Sequence, residues 1–196
     1  MRRVAALACF LLLALGVFTA QGVGAATSCT IEGTKANDHL SGTSGPDVTC
    51  GRGGHDRISG HAGADDLLGG RGSDIIQTGN GRDEALGGQG QDSIGAGLSR
   101  AVQTLRGGAQ NDYLYGSEGN EHLLGGEGMD FILAYFHGHA LVRGGRGPDE
   151  CLWSADGQSN DRILGGAGRD TYEADSGDAV TSAERLHHCA SVHIPH

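Results

Sequence analysis

The sequence predicts an all-β solenoid, and three observations carry that prediction. A nine-residue unit repeats without a gap from Gly33 to Gly95. Aspartate stands at the sixth position of every unit in that run. The eighth position is usually aliphatic, as at Leu40, Ile58, Leu67, Ile76 and Ile94, with Thr49 and Ala85 as weaker members. Self-similarity at a short fixed period marks a stacked architecture in which each unit buries its apolar side only against its neighbours.

Composition alone points the other way. Glycine accounts for 37 of 196 residues and aromatics for only 5 %. Glycine contributes no apolar area and is costly to order, so an ordinary core of large side chains is excluded. The periodicity supplies a thin, regular core instead. The charge balance of 14 basic to 24 acidic residues, a net charge of −10, disfavours nucleic acid and anionic membrane as partners and favours metal cations.

The units run GTKANDHLS, GTSGPDVTC, GRGGHDRIS, GHAGADDLL, GGRGSDIIQ, TGNGRDEAL and GGQGQDSIG. Further in-frame nonamers begin at Gly107, Gly116, Gly125, Gly144, Asp156 and Gly165. Longer spacers interrupt them at 96–106, 134–143 and 153–164. Counting 98–106 and 135–143 as degenerate units places Leu105 and Val142 at the apolar position and gives about fifteen units. At these residues the chain resembles the RTX, or hemolysin-type, calcium-binding repeat, G-G-x-G-x-D-x-U-x with U a large aliphatic. The resemblance spans 33–173. It implies a right-handed parallel β-roll, a two-sheet β-solenoid with two units per turn, closed by a C-terminal cap.

The residue types suit that chemistry. Gly-Gly-x-Gly reaches tight and left-handed conformations, which turn its carbonyls toward one point. Aspartate adds a charged oxygen. Calcium takes six to eight oxygens, and no nitrogen or sulfur is offered at these positions, which argues against zinc or copper. The resemblance implies multiple Ca²⁺ ions, each between the loops of units n and n+2. Each would take the carbonyls of positions 2 and 4 and the aspartate from one unit, and the carbonyls of positions 1 and 3 and the aspartate from the other. The expected metal ligands are Asp38, Asp47, Asp56, Asp65, Asp74, Asp83, Asp92, Asp112, Asp130, Asp149 and Asp170.

The two edges differ. Odd-numbered units carry an unbroken column: Asp38, Asp56, Asp74, Asp92, Asp112, Asp130, Asp149 and Asp170. The even column reads Asp47, Asp65, Asp83, Gln103, Glu121, Ala140 and Asp161. Every loss of aspartate and every longer spacer falls on it. The expectation is a continuous ladder of calcium sites on the odd edge, with even-edge sites only at Asp47–Asp65 and Asp65–Asp83.

The outward positions of odd units place Tyr113 beside Phe131, and Tyr115 beside Leu133 and then Leu152. That apolar patch is either an interaction surface or the seat of a C-terminal lid. Tyr135, Phe136 and Trp153 are assigned to the opposite edge.

The ends complete the plan. Residues 1–26 read as a signal peptide: Arg2 and Arg3, the apolar run Ala5 to Val17, then small residues with a cut near 25 or 26. The run is too short to span a membrane comfortably. Residues 27–173 form the roll, with Thr30-Ile31-Glu32 as a partial first strand, and 174–196 the cap and a histidine-containing tail. Thr181 and Glu184 are spaced as a capping box, which predicts a short helix over 181–186. Without Cys9, four cysteines remain and allow three pairings. Cys29–Cys50 and Cys151–Cys189 are favoured because each ties down one end.

No H-E-x-x-H, G-x-S-x-G or G-x-x-x-x-G-K-[ST] motif occurs, so no catalytic activity is expected. The resulting expectation is a secreted, extracellular, calcium-binding protein that folds on meeting Ca²⁺. The alternative is a cell-surface adhesin or interaction module that uses the apolar patch on an unidentified extracellular or surface partner.

Overall fold

The computed structural model describes residues 28–134, 138–154, 157 and 160–182, and the backbone of 185–186. The expected signal peptide, Tyr135, Phe136, Cys189 and the tail histidines lie outside the described residues. The chain forms an all-β parallel solenoid of about eight turns, and no helix occurs among the described residues. Two sheets of nine strands each face one another. The first contains Ile31–Glu32, Val48–Cys50, Asp66–Arg71, Glu84–Gln89, Gln103–Ala109, Glu121–Glu127, Leu141–Arg146, Arg162–Ala167 and Ala179–Thr181. The second contains His39–Ser41, Arg57–Ser59, Ile75–Gln77, Ser93–Gly95, Tyr113–Tyr115, Phe131–Leu133, Glu150–Trp153, Thr171–Glu173 and Arg185–Leu186. A short pair, Ala62–Gly63 and Asn80–Gly81, lies outside both.

The x-U-x triplets make these short strands because alternate side chains point to opposite faces. Only the middle residue turns inward. In the first sheet Leu67, Ala85, Leu105, Leu123, Val142 and Ile163 lie in register. In the second, Ile58, Ile76, Ile94, Leu114, Ile132 and Leu152 do the same. Together they form one buried cluster. Leu105 and Val142, reached only after longer spacers, hold their places in this ladder.

Three expectations are corrected. The predicted helix over 181–186 is absent: Ala179–Thr181 and Arg185–Leu186 extend the two sheets in parallel. Val180 pairs with Ile163 and continues the core row, and that burial outweighs a local capping preference. Second, Leu152 is not an outward neighbour of Leu133. Cys151 has φ of 60° and the register shifts beside it, which turns Leu152 into the core at 0 % exposure. Third, Trp153 does not belong to the opposite edge. It pairs with Leu133 and joins a small cluster with Phe131, Cys151 and Tyr115. Tyr113 meets Phe131 with ring centroids 5.8 Å apart. Phe131 and Leu133 are only 7 % and 4 % exposed, so most of the expected outer patch is buried.

Cys29 and Cys50 form a disulfide that fastens the N-terminal end to the second strand of the first sheet. Cys151 is also disulfide-bonded.

Close stacking of the turns leaves no room for side chains at most of the repeat glycines. Gly72 has φ of 114°, and a Cβ there would lie 1.9 Å from Gly54 O. Gly157 also has positive φ, 87°, but a Cβ there would meet nothing within 4 Å. Gly157→Ala should therefore cost only the left-handed strain of about 1–2 kcal/mol. Gly72→Ala adds a backbone collision and should destabilise the fold by clearly more. Denaturant unfolding of the two variants checks the order.

Candidate metal sites along the two edges

Position 6 immediately precedes each strand, so every aspartate of a column enters the stack at the same height. Its side chain folds back under the loop that leads to it. The carboxylates are buried: Asp56, Asp65, Asp74, Asp92, Asp112, Asp130, Asp149 and Asp170 are each 0–1 % exposed.

On the odd edge one oxygen of each carboxylate has a fixed task. The backbone N–H of Asp38 donates to Asp56 Oδ1 (2.8 Å). The same bond links Asp56 to Asp74, Asp74 to Asp92, Asp92 to Asp112 and Asp112 to Asp130 at 2.8–2.9 Å. It continues from Asp130 to Asp149 and from Asp149 to Asp170 at 3.1 Å. The second oxygen is left over. Oδ2 of Asp56, Asp74, Asp92, Asp112, Asp130 and Asp149 is buried without a hydrogen-bond partner. Burying such an atom unpaired is costly, and here the cost recurs in six successive turns, from Asp56 to Asp149.

Backbone carbonyl oxygens lie close to these carboxylate oxygens. A Cβ on Gly51 would sit 2.3 Å from Asp56 Oδ2 and 2.4 Å from Gly69 O. On Gly144 it would sit 2.0 Å from Asp149 Oδ2 and 2.5 Å from Gly165 O. On this edge position 1 must therefore be glycine, with the carboxylate oxygen and the next turn's carbonyl both beside it. Among the described residues no three His, Cys, Asp or Glu side chains converge on one point. An ion here would be held by carboxylates and backbone carbonyls, an all-oxygen set that fits a hard cation of calcium's kind.

The even edge is different. Asp47 N–H donates to Asp65 Oδ1 (2.9 Å) and Asp65 N–H to Asp83 Oδ1 (3.1 Å). Among its carboxylates only Asp65 has an Oδ2 of the odd-edge kind. Asp47 Oδ2 accepts from the Thr43 backbone N–H (2.7 Å) and hydroxyl (2.8 Å). Asp38, first on the odd edge, is served likewise by Thr34. Asp83 Oδ2 accepts from Gln103 Nε2 (3.0 Å). Glu121 Oε1 accepts from the N–H groups of Ser117 (2.8 Å) and Gly119 (3.2 Å). Ala140 N–H donates to Asp161 Oδ1 (2.8 Å), and Asp161 N–H to Asp178 Oδ1 (3.2 Å).

A family model for the RTX calcium-binding nonapeptide repeat, four copies long, matches residues 30–58, 51–76, 59–94, 102–132 and 155–180. The chain belongs to this family. Comparison with curated proteins gives no match. The RTX repeat is a calcium-binding one, and the oxygen-lined turns described above suit that ion.

Two parts of this RTX site escaped the sequence reading. Asp178 is a ladder member, and Asp178-Ala179-Val180-Thr181 repeats the Asp-x-apolar-x signature that could have revealed it. Gln103 was read only as a lost ligand, whereas its amide fills a position. The signal for that was a coincidence of departures: Thr78 breaks the position 1 glycine rule in the turn that Gln103 reaches.

Burial governs the ionisation of these groups. It pushes the carboxyls of Asp83, Asp92 and Asp130 up to about 6. Asp149 rises to about 7, and Asp112 to about 8, with like charges from neighbouring aspartates adding to burial. Asp47 moves the other way, lowered by the Thr43 backbone N–H and then its hydroxyl. A raised carboxyl holds its proton in the folded state and releases it when unfolded, so the stabilisation is complete below about pH 4 and is lost as pH rises through 6–8. In excess chelator, the chain should therefore show more strand signal at pH 5 than at pH 8. Circular dichroism at the two pH values checks this.

Proposed function

We propose that this chain is a secreted, non-catalytic protein that folds as it binds extracellular calcium. The observation that carries the reading is the row of buried carboxylate oxygens without hydrogen-bond partners on the odd edge. Stacked like charges one strand spacing apart, about 5 Å, repel one another. A divalent ion between successive turns would neutralise each pair and complete the oxygen set that surrounds it.

On this reading Asp38, Asp56, Asp74, Asp92, Asp112, Asp130, Asp149 and Asp170 form a continuous ladder of calcium sites. Asp47, Asp65 and Asp83 supply the even-edge sites, toward the N-terminal end only. The roughly fifteen repeat units, two per turn, are the scaffold. Ions that bind only the folded form stabilise it by mass action. Extracellular calcium modules bind at about 10⁻⁴–10⁻³ M, and coupling along a solenoid sharpens the response of many weak sites. Within the cell, where calcium is scarce, the like charges keep the chain loose and exportable. The signal-peptide pattern of residues 1–26 supports this route. The adhesin alternative is not favoured, because Phe131 and Leu133 of its candidate surface are buried.

Calcium titration followed by circular dichroism tests the proposal. Strand signal should rise at millimolar Ca²⁺ and fall again in excess EDTA. Asp92→Ala, which removes one rung from the middle of the ladder, should shift the midpoint to several-fold higher calcium. A strand signal indifferent to both ion and chelator overturns the reading.

A further inference from the structure

Gln103 occupies the position on the even edge that corresponds to Asp92 or Asp112 on the odd one. Its side chain is fully buried, at 0 % exposure. The amide Nε2 lies 2.9 Å from Gly79 O, 3.2 Å from Gly81 O and 3.0 Å from Asp83 Oδ2. Those acceptors are positions 2, 4 and 6 of one unit, the half-set of oxygens expected to face an ion. The orientation of the amide follows from its partners. Three acceptors surround one end, where an oxygen would be repelled, and the other end, Oε1, accepts from Thr78 Oγ1 (3.0 Å). The Thr78 hydroxyl in turn accepts from the Gly97 N–H (3.0 Å), so its position in the chain of hydrogen bonds is fixed.

Neighbouring hydroxyls extend the pattern. Ser99 Oγ donates to Gly81 O (3.1 Å), and Ser117 Oγ donates to Gly97 O. Side-chain donors have taken over carbonyls of the even-edge turns. Asp83 Oδ2 consequently has a partner where Oδ2 of Asp56, Asp74, Asp92, Asp112, Asp130 and Asp149 has none.

We propose that the Gln103 amide is a tethered substitute for a calcium ion, closing the Asp83 turn without metal. A primary amide presents partial positive charge on its two N–H groups to the carbonyls and carboxylate that a cation would otherwise bring together. It cannot supply full charge neutralisation, but it needs no ion to be present, and it leaves no open coordination position. The spacer over 96–106, two residues longer than a unit, carries the glutamine into that place. This rests on the calcium reading above, and the two can fail separately.

The test compares the full wild-type chain with Gln103→Glu in millimolar Ca²⁺, counting bound ions by equilibrium dialysis with atomic absorption. Gln103→Glu replaces the donor by a second carboxylate opposite Asp83 and should bind one additional ion per chain. An unchanged count overturns the proposal. Should that variant not fold, anomalous scattering from wild-type crystals grown with calcium decides. Peaks on the odd edge with none beside Gly79 O, Gly81 O and Asp83 uphold the substitution. A peak beside those three atoms overturns it while leaving the calcium reading intact. Absence of ions from both edges overturns both.

Discussion

The structure depends on the division of labour within one carboxylate. From Asp56 onward each aspartate of the odd column accepts, on one oxygen, the backbone N–H of the preceding turn's aspartate, which fixes the stacking distance and register of successive loops. The other oxygen stays buried among carbonyls. The bond that aligns the turns thus brings a charge into a dry place at every turn. Burial raises the carboxyl pKa values, so the edge demands either protons or cations. Neutral pH removes the first option at Asp92 and Asp130, whose carboxyls rise only to about 6. The geometry that makes the fold regular also makes it dependent on what neutralises it.

The core explains why that dependence is tolerated. Each strand contributes one inward side chain, and the buried cluster is a double row of Leu, Ile, Val and Ala. Such a row excludes sliding, because a one-residue slip would turn every aliphatic outward. It is too thin to offset the ordering of so many glycines by itself. Register comes from the aliphatics, while cohesion between turns rests on the backbone pairing and on the edges. The Cys29–Cys50 disulfide secures the first turn, which has a neighbour on one side only.

The repeating parts of this arrangement were legible in the sequence. Period, aspartate columns and the aliphatic row all follow from positions 1, 6 and 8, because each turn repeats the same local problem. What was not legible arose where two distant departures meet. Cys151 occupies position 8, and only its left-handed backbone allows Leu152 to take the core place instead. Val180 was hidden by a local helix signal from Thr181 and Glu184, although the open end of the first sheet below Ile163 was the stronger influence. Gln103 looked like decay because a column read alone shows what is missing. Its bonds to Gly79, Gly81 and Asp83 run between turns, and no single unit contains them.

The concentration of longer spacers on the even edge has a physical reason within this picture. An ion shared by two turns constrains both loops at once, since its oxygens must lie within about 0.3 Å of a common distance. Inserted residues displace carbonyls and break that condition. Once side chains such as Gln103, Ser99 and Ser117 serve the carbonyls, the loop has only to bring a donor within hydrogen-bond reach, a looser condition that longer loops can meet. The odd edge, with its buried unpartnered oxygens, never obtains that freedom, and its loops keep to the unit length from Gly33 to Asp170. Loss of aspartate and gain of length coincide at Gln103 and Ala140, whereas Glu121 stands in a unit of ordinary length and Asp161 keeps its aspartate behind a longer spacer. The register of the first sheet is preserved across all of them because the core row, not the edge, sets it.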